Sequence, residues 1–344
     1  MTRPRGARMA LRGFFYALSI LATIGACGGS AAPASPSAAS SPLVFTVAPI
    51  DPAAIQFIVP LGNMAPWGHT LPTDHAYVYH HLQAGAFAPL TVLAPAAGIV
   101  DGTYPGAGGE VKIWVRVSAT TTYYFDHVVP AAGIAVGSRV AAGSILGSSG
   151  GIAFDFAVRD EAASVGFLNP ARYGLDTLYG HSPFGYFVEP LRSALYAKVQ
   201  RSGGEPDGRF NYDVSGALSG NWFAEDLPVA QSSGADMSIG TRQLAFARDV
   251  RTPDRQRISI GGLGLTGLYG VPPDAPDFSA VTAVSGVVVY RLLELGEPGG
   301  VPGIQQLGLL AVQVLDAQRL RVEARPDRNA ATMTFSAAAS IYLR

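Results

Sequence analysis

Apolar and polar positions alternate with a period of two through much of residues 90–160, the pattern of half-buried strands. Val111, Ile113, Val115 and Val117 take turns with Lys112, Trp114 and Arg116. An apolar run at 91–100 is interrupted by the Pro95-Ala96-Ala97-Gly98 turn, and a β-branched and aromatic run at 120–129 contains His127. Residues 136–147 read as two short apolar pieces around glycines, a hairpin, since glycine takes φ > 0 at no steric cost. The last strand spans 152–159. Ile152, Phe154, Phe156 and Val158 share one face of it, so Ala153 and Asp155 point together to the other.

The flanks are read in the same way. Residues 43–50 and 54–59 predict two strands split by Asp51-Pro52. Pro60, Gly62, Pro66, Gly68 and Pro72 exclude a helix across the next stretch, which predicts an irregular loop running into a strand at 75–81. Asn169-Pro170 and the Tyr/Gly-rich segment 179–187 suggest ordered loops, with His181 exposed or capping. Pro190 opens a short helix with Leu191, Ala194 and Leu195 on one face, and Gly203-Gly204 ends it. From 205 onward many short strands follow at 243–247, 257–260, 287–293, 309–315 and 319–324. Leu320, Val322 and Ala324 alternate there with Arg319, Arg321, Glu323 and Arg325. Such spacing predicts a sandwich or a barrel. Gly220-Asn221-Trp222 is similar to the Gly-x-Trp of lipocalin-like barrels, although a plain core Trp is the better reading of it, and a barrel could enclose a small apolar ligand.

Length and charge narrow the reading. A chain of 344 residues has room for two domains, and a net charge of −1 with 14% charged residues gives no basic field for nucleic acid. Arg3, Arg5, Arg8 and Arg12 precede an apolar run at 14–26, a basic segment followed by a hydrophobic one too short to span about 30 Å of hydrocarbon. It reads as an export signal. Its end, Ile24-Gly25-Ala26-Cys27, resembles the lipobox of bacterial lipoproteins, which makes Cys27 the expected lipidation site and a lipid anchor the only expected membrane contact. Cys27 is the single cysteine, so neither a disulfide nor a thiolate metal site can form inside the chain. Residues 28–42 contain only Gly, Ala, Ser and Pro and predict a disordered tether of roughly 50 Å at full extension. The expected layout is therefore signal and lipobox 1–27, tether 28–42, a first β domain 43–185, a helix and linker 186–204, and a second β domain 205–344.

Four of the six histidines, His69, His75, His80 and His81, lie in the Pro/Gly-rich loop and the strand after it. In one reading His69 and Asp74 bind a metal, an imidazole and a carboxylate being standard zinc donors. In a second, histidines and Asp74 satisfy loop backbone groups left unpaired by Pro and Gly. In a third, His80-His81 is a solvated strand end.

The order of elements in 57–160 resembles the lysostaphin-type (LytM-like) zinc endopeptidases of bacterial cell walls. The residues that carry the resemblance are the Ala-Pro-x-x-Gly-x-Val of 94–100, the Tyr-x-x-His of 124–127, the Gly-x-x-Val-x-x-Gly of 137–143, and the Phe-x-Val-Arg of 156–159. His69 and Asp74 resemble the family's His-x-x-x-Asp with one extra residue between them. The resemblance implies a mainly β fold, zinc held by His69, Asp74 and Asp155, and His127 as the assisting catalytic group. It also implies a departure. Where the family has His-x-His before Phe-x-Val-Arg, this chain has Ala153 and Asp155. Ala153 can neither ligate nor carry a proton, and loss of one acid–base group typically removes about 10²–10⁴-fold in rate. Two carboxylates would also make a metal-bound water less acidic. The expectation is a cell-envelope lipoprotein with a weakened or inactive peptidase-like domain that meets peptidoglycan peptide or glycan. The alternative is a non-catalytic envelope protein that binds glycan, peptide or a protein partner through the same groove. Biotinyl- and lipoyl-type domains share the hairpin and turn, but they need a lysine in the hairpin, and none is present there.

Overall fold

Ten strands order the first half of the chain into one antiparallel sheet. The computed structural model describes residues 42–82, 88–231, 237–295 and 302–344, and Cys27 with nearly all of the tether lies outside them. The strands are β1 Phe57–Val59, β2 Ala76–Tyr79, β3 Thr91–Leu93, β4 Gly98–Pro105, β5 Val111–Arg116, β6 Thr121–Pro130, β7 Arg139–Val140, β8 Ile145–Ser149, β9 Ala153–Asp160 and β10 Gly180–His181. They lie in the order β1-β2-β9-β6-β5-β4-β7, with β10 on β9, β8 on β6 and β3 on β8. The expected alternation in β9 holds. Phe154, Phe156 and Val158 are fully buried on the core side, and Phe125 of β6 stacks on Phe156 at 4.5 Å. Each such ring contributes roughly 1.5–3 kcal/mol by leaving water, so the register of β9 is fixed by its inner face. The outer face is thereby fixed as well.

The two strands expected over 43–59 reduce to one. Only β1 is a strand; Phe45 makes a single bridge to Phe187, and Asp51 caps a tight turn at Pro52–Ala54 by accepting from the Ala53 amide at 2.9 Å. Side-chain capping and the proline turn end the strand that the apolar pattern suggested. His80 is buried and His81 exposed, so the pair is not a uniformly solvated strand end. The helix α1 is a single turn at Leu175–Leu178, and α2, Leu191–Tyr196, follows Pro190 as expected, with Leu195 in the core.

Eight further strands close into a barrel in sequential order: β11 Gly220–Ala224, β12 Gln243–Arg248, β13 Gln256–Ile260, β14 Gly267–Gly270, β15 Val288–Leu295, β16 Pro302–Val314, β17 Arg319–Arg325 and β18 Ser340–Leu343. Between sandwich and barrel, the barrel is formed. Trp222, Phe246, Ile258, Tyr269, Phe278, Tyr290 and Leu310 belong to one buried cluster, so the described interior is filled with side chains where a ligand space was entertained. Trp222 is the core tryptophan of this cluster, and it is also covered by the Arg344 guanidinium at 4.1 Å from the ring centre. Glu323, on the expected wet face of β17, is buried instead, because its carboxylate accepts from the Ser336 amide and hydroxyl.

Sheet and barrel pack together. The amide of Asn169 donates to the Arg344 carbonyl at 3.0 Å, Arg172 to the Leu227 carbonyl at 3.2 Å, and the Thr70 hydroxyl to the Gly240 carbonyl at 2.8 Å.

Candidate active site

The outer face of β9 holds Asp155, flanked by Tyr77 of β2 on one side and Asp126 of β6 on the other. Ordinary alternation would send His127, next to Asp126, into the core. It does not, because β6 bulges: Val111 pairs with Val128 and Ile113 with Phe125, leaving Lys112 alone opposite Asp126 and His127. His127 takes φ 63°, the left-handed region rarely used by residues with a Cβ. The Asp126 carboxylate accepts the His127 amide at 2.8 Å and holds that conformation. Both side chains thus reach the neighbourhood of Asp155.

Two histidines converge on one oxygen. His75 Nε2 lies 3.3 Å and His127 Nε2 3.7 Å from Asp155 Oδ2. Each ring is held from behind by another carboxylate: His75 Nδ1 is 2.9 Å from Asp74 Oδ1, and His127 Nδ1 is 2.8 Å from Glu110 Oε2. Glu110 reaches His127 across Gly150, where a Cβ would meet Glu110 Oε1 at 2.2 Å. The result is a row Asp74, His75, Asp155, His127, Glu110 in which acids and bases alternate.

Asp74 is fully engaged. Besides His75 it accepts from the Tyr124 hydroxyl at 3.2 Å and from the Thr177 hydroxyl. Burial alone would raise its pKa, but the His75 ring, the Lys112 charge and the Thr177 hydroxyl hold it well below the usual carboxylate range. Thr177 sits in α1 beside Asp176, which takes the Trp114 indole N–H at 2.9 Å and the Lys112 ammonium at 2.8 Å. One helical turn so fastens β5 and Asp74 together.

Burial works against protonation of His75 and His127, yet the facing carboxylates, Asp155 with Asp74 in one case and Asp155 with Glu110 in the other, raise both pKa values. His69 behaves oppositely, its pKa lowered by burial and by the neighbouring His75. It stands on a small loop closed by Ala65 and His69, whose amides and carbonyls bond each other at 2.8 and 2.9 Å. Its ring centre is 5.7 Å from that of His75.

Of the residues expected from sequence, Asp155 and His127 come together. Asp74 reaches Asp155 only through His75, and His69 lies beside His75. Among the described residues the group whose ligand atoms all fall within 4.8 Å is Asp126, His127 and Asp155. His75, Asp126 and Glu110 were not anticipated. A signal for two of them was present: the chain's two Asp-His dipeptides, 74–75 and 126–127, both end up here. Imidazole and carboxylate donors suit zinc, and histidines whose Nδ1 is held by a carboxylate while Nε2 faces inward have the outer-shell support typical of metal ligands. The donor set therefore fits a zinc ion. A cleft of about 660 Å³ runs alongside, lined by His69, Asp74 and His75 from the loop before β2, by Trp114 and Asp126 from the sheet, and by Asn221, Ile239 and Gln243 from the barrel half.

No protein-family model matches the sequence, and no curated protein matches it. Among solved structures, the chain is similar to Csd3 of Helicobacter pylori at 16% identity and a TM-score of 0.29, over 46% of this chain and 39% of that one. It is similar to the deep-sea M23 metalloprotease pseudoalterin at 14% identity and a TM-score of 0.28, over 42% and 83%. It is also similar to a zinc-containing peptidase from Vibrio cholerae at 13% identity and a TM-score of 0.28, over 34% and 37%. The chain thus spans about two fifths of the length of the Helicobacter structure. M23, or lysostaphin-type, peptidases are the family that the strand motifs resemble.

Proposed function

We propose that this chain is an exported, lipid-anchored protein of the bacterial cell envelope whose sheet domain is a zinc-endopeptidase-like domain, weak or inactive toward peptidoglycan peptides. The observation that supports it is the convergence of two carboxylate-backed imidazoles on Asp155 at the edge of an open cleft. The residues available to hold zinc with Asp155 are His75, 3.3 Å from its Oδ2, and Asp126 from β6; of the set read from sequence, Asp74 stands behind His75 and His69 beside it. A bound zinc would supply Lewis acidity toward a peptide carbonyl and a more acidic water. His127, half exposed and steadied by Glu110, is placed to hold or release a proton at Nε2. Tyr77, whose hydroxyl lies 3.2 Å from His75 Nε2, steadies that ring in the metal-free chain.

Ala153 favours the second reading, a non-catalytic module that binds envelope glycan, peptide or a protein partner in the same cleft. It lies on the face of β9 that carries Asp155 and brings no proton carrier. The test is zinc analysis of the purified protein together with mass spectrometry of cross-linked wall peptides incubated with the wild type and with Ala153→His. Slow or absent cleavage by the wild type and a gain of at least 10-fold in Ala153→His support the peptidase-like reading. Rapid cleavage by the wild type would show a fully competent enzyme. Peptide binding without cleavage in either protein, and without zinc, would leave the binding module.

A further inference from the structure

We infer that His75, not Asp74, is the loop residue that ligates the metal together with Asp155, and that Asp74 is the positioning residue behind it. The inference rests on the zinc-site reading above and deepens it.

Distances separate the two roles. A charge-assisted hydrogen bond between an imidazole N–H and a carboxylate runs about 2.7–2.9 Å. His75 Nδ1 to Asp74 at 2.9 Å and His127 Nδ1 to Glu110 at 2.8 Å have that length. The His75 Nε2 to Asp155 Oδ2 distance, 3.3 Å, is long for such a bond. Two donors that share a tetrahedral zinc at about 2.0–2.1 Å each lie about 3.3 Å apart. The near side of the ring therefore has hydrogen-bond spacing, and the far side has the spacing of two ligands to one ion.

Asp74 has no comparable freedom. Its Oδ1 accepts from His75 and Tyr124, and its Oδ2 accepts from Thr177. A largely buried carboxylate carrying three donors, just before β2, fixes the His75 tautomer with Nδ1 protonated. The Nε2 lone pair, which faces the Tyr77 hydroxyl at 3.2 Å and Asp155 Oδ2 at 3.3 Å, becomes the metal donor once that hydroxyl turns aside. His127 is the rival. It is farther from Asp155, at 3.7 Å, and its side chain is 51% exposed against 12% for His75. A buried ring backed by a saturated carboxylate is the better-fixed ligand; a half-exposed ring is better placed to exchange protons with solvent. Relative to the set read from sequence, the acid of β9 stays, and the His75 imidazole takes the place of the Asp74 carboxylate as the loop's ligand.

The experiment is cobalt(II) titration of the metal-stripped, full-length protein, followed by visible absorption, with zinc competition giving the affinity. The variants are His75→Gln, Asp74→Asn and Asp126→Asn, with thermal melting to confirm folding. The expected result is one metal per chain in the wild type, a loss of at least 100-fold in zinc affinity for His75→Gln, and a loss of about 10–100-fold for Asp74→Asn. Should a variant fail to fold, imidazole ¹⁵N spectra of the wild type decide. Zinc must then shift His75 Nε2 while the Nδ1 proton persists. If zinc binds the wild type but His75→Gln keeps the affinity, or zinc leaves the His75 Nε2 signal unmoved, the assignment of His75 is overturned while the zinc reading stands. If the wild type binds no zinc, the zinc reading falls, and this inference with it.

Discussion

The Thr70 hydroxyl donates to the Gly240 carbonyl across 170 positions of sequence, and it also lies 3.3 Å from the Trp67 carbonyl. One side chain next to His69 thereby fastens the histidine-bearing loop to the barrel. The approach is close enough to exclude a Cβ: one added at Gly240 would stand 1.8 Å from the Trp67 carbonyl oxygen, and one at Gly261 would stand 1.7 Å from the Gly240 oxygen. The obstacles are backbone atoms, which cannot rotate away as a side-chain end can. Gly240→Ala is therefore expected to lower unfolding stability by about 1–3 kcal/mol and to speed amide exchange in residues 65–73. Denaturant melts and hydrogen exchange check both effects. Unchanged exchange in that loop would mean that the barrel does not support it.

Asp155 answers two rings whose pKa values are both raised. Removing a buried partner from such a group leaves charge unpaired, so Asp155→Ala in the metal-stripped protein is expected to lose roughly 3 kcal/mol. Double-mutant cycles with His75→Gln should then show coupling between the two positions, because they share one interaction.

Acid should reach Asp74 late. Its pKa is depressed in the folded chain, and an unfolded Asp titrates near about 3.9. A depressed carboxylate contributes stability that is present above the unfolded value and is lost as pH falls toward the folded one. Stability from this group should thus persist through pH 5 and decline below about pH 4. Asp74→Asn should flatten that part of the acid limb relative to the wild type, measured by urea melts between pH 6 and pH 2. Parallel acid limbs in the two proteins would contradict the assignment.

Arg344 closes the barrel end. Its buried guanidinium covers Trp222 and donates to the Val214 and Ser219 carbonyls, with Asp213 3.9 Å away. Arg344→Ala is expected to lower stability by about 2–3 kcal/mol, since carbonyls that accept from a charged donor lose it inside the protein. Lysine should not restore the loss, because a point charge lacks the planar fork that stacks and donates at once. Thermal denaturation of the two variants distinguishes stacking from charge alone.

Much of this architecture was legible because it follows from period-two patterning. The inner face of β9, the helix after Pro190 and the barrel strands all obey local rules of alternation and turn chemistry, whereas residues 136–147 do not form the expected hairpin: β7 pairs with β4, and β8 with β3 and β6. Two features of the site escape those rules as well. His127 reaches the outer face only because a residue is inserted in β6 relative to β5, and registers of that kind are set by pairing between segments distant in sequence. His75 looked like one histidine in a loop until the fold placed it between Asp74 and Asp155. Residues 43–50 erred in the other direction: their apolar pattern reflects burial of Phe45 and Ile50 in a segment with a single bridge, and burial without a continued ladder looks the same in sequence.

The ring of eight strands has a further result for the chain's behaviour in crowded surroundings. Among the described residues, the closed ladder of the barrel leaves no strand without a neighbour on either side, so those strands offer no template for growth. Any tendency to add foreign strands falls on the first sheet alone. There the main path ends in β7, two residues long, and in β1, already bonded to residues 198 and 200, while the side branches end in β3 and β10, three and two residues long.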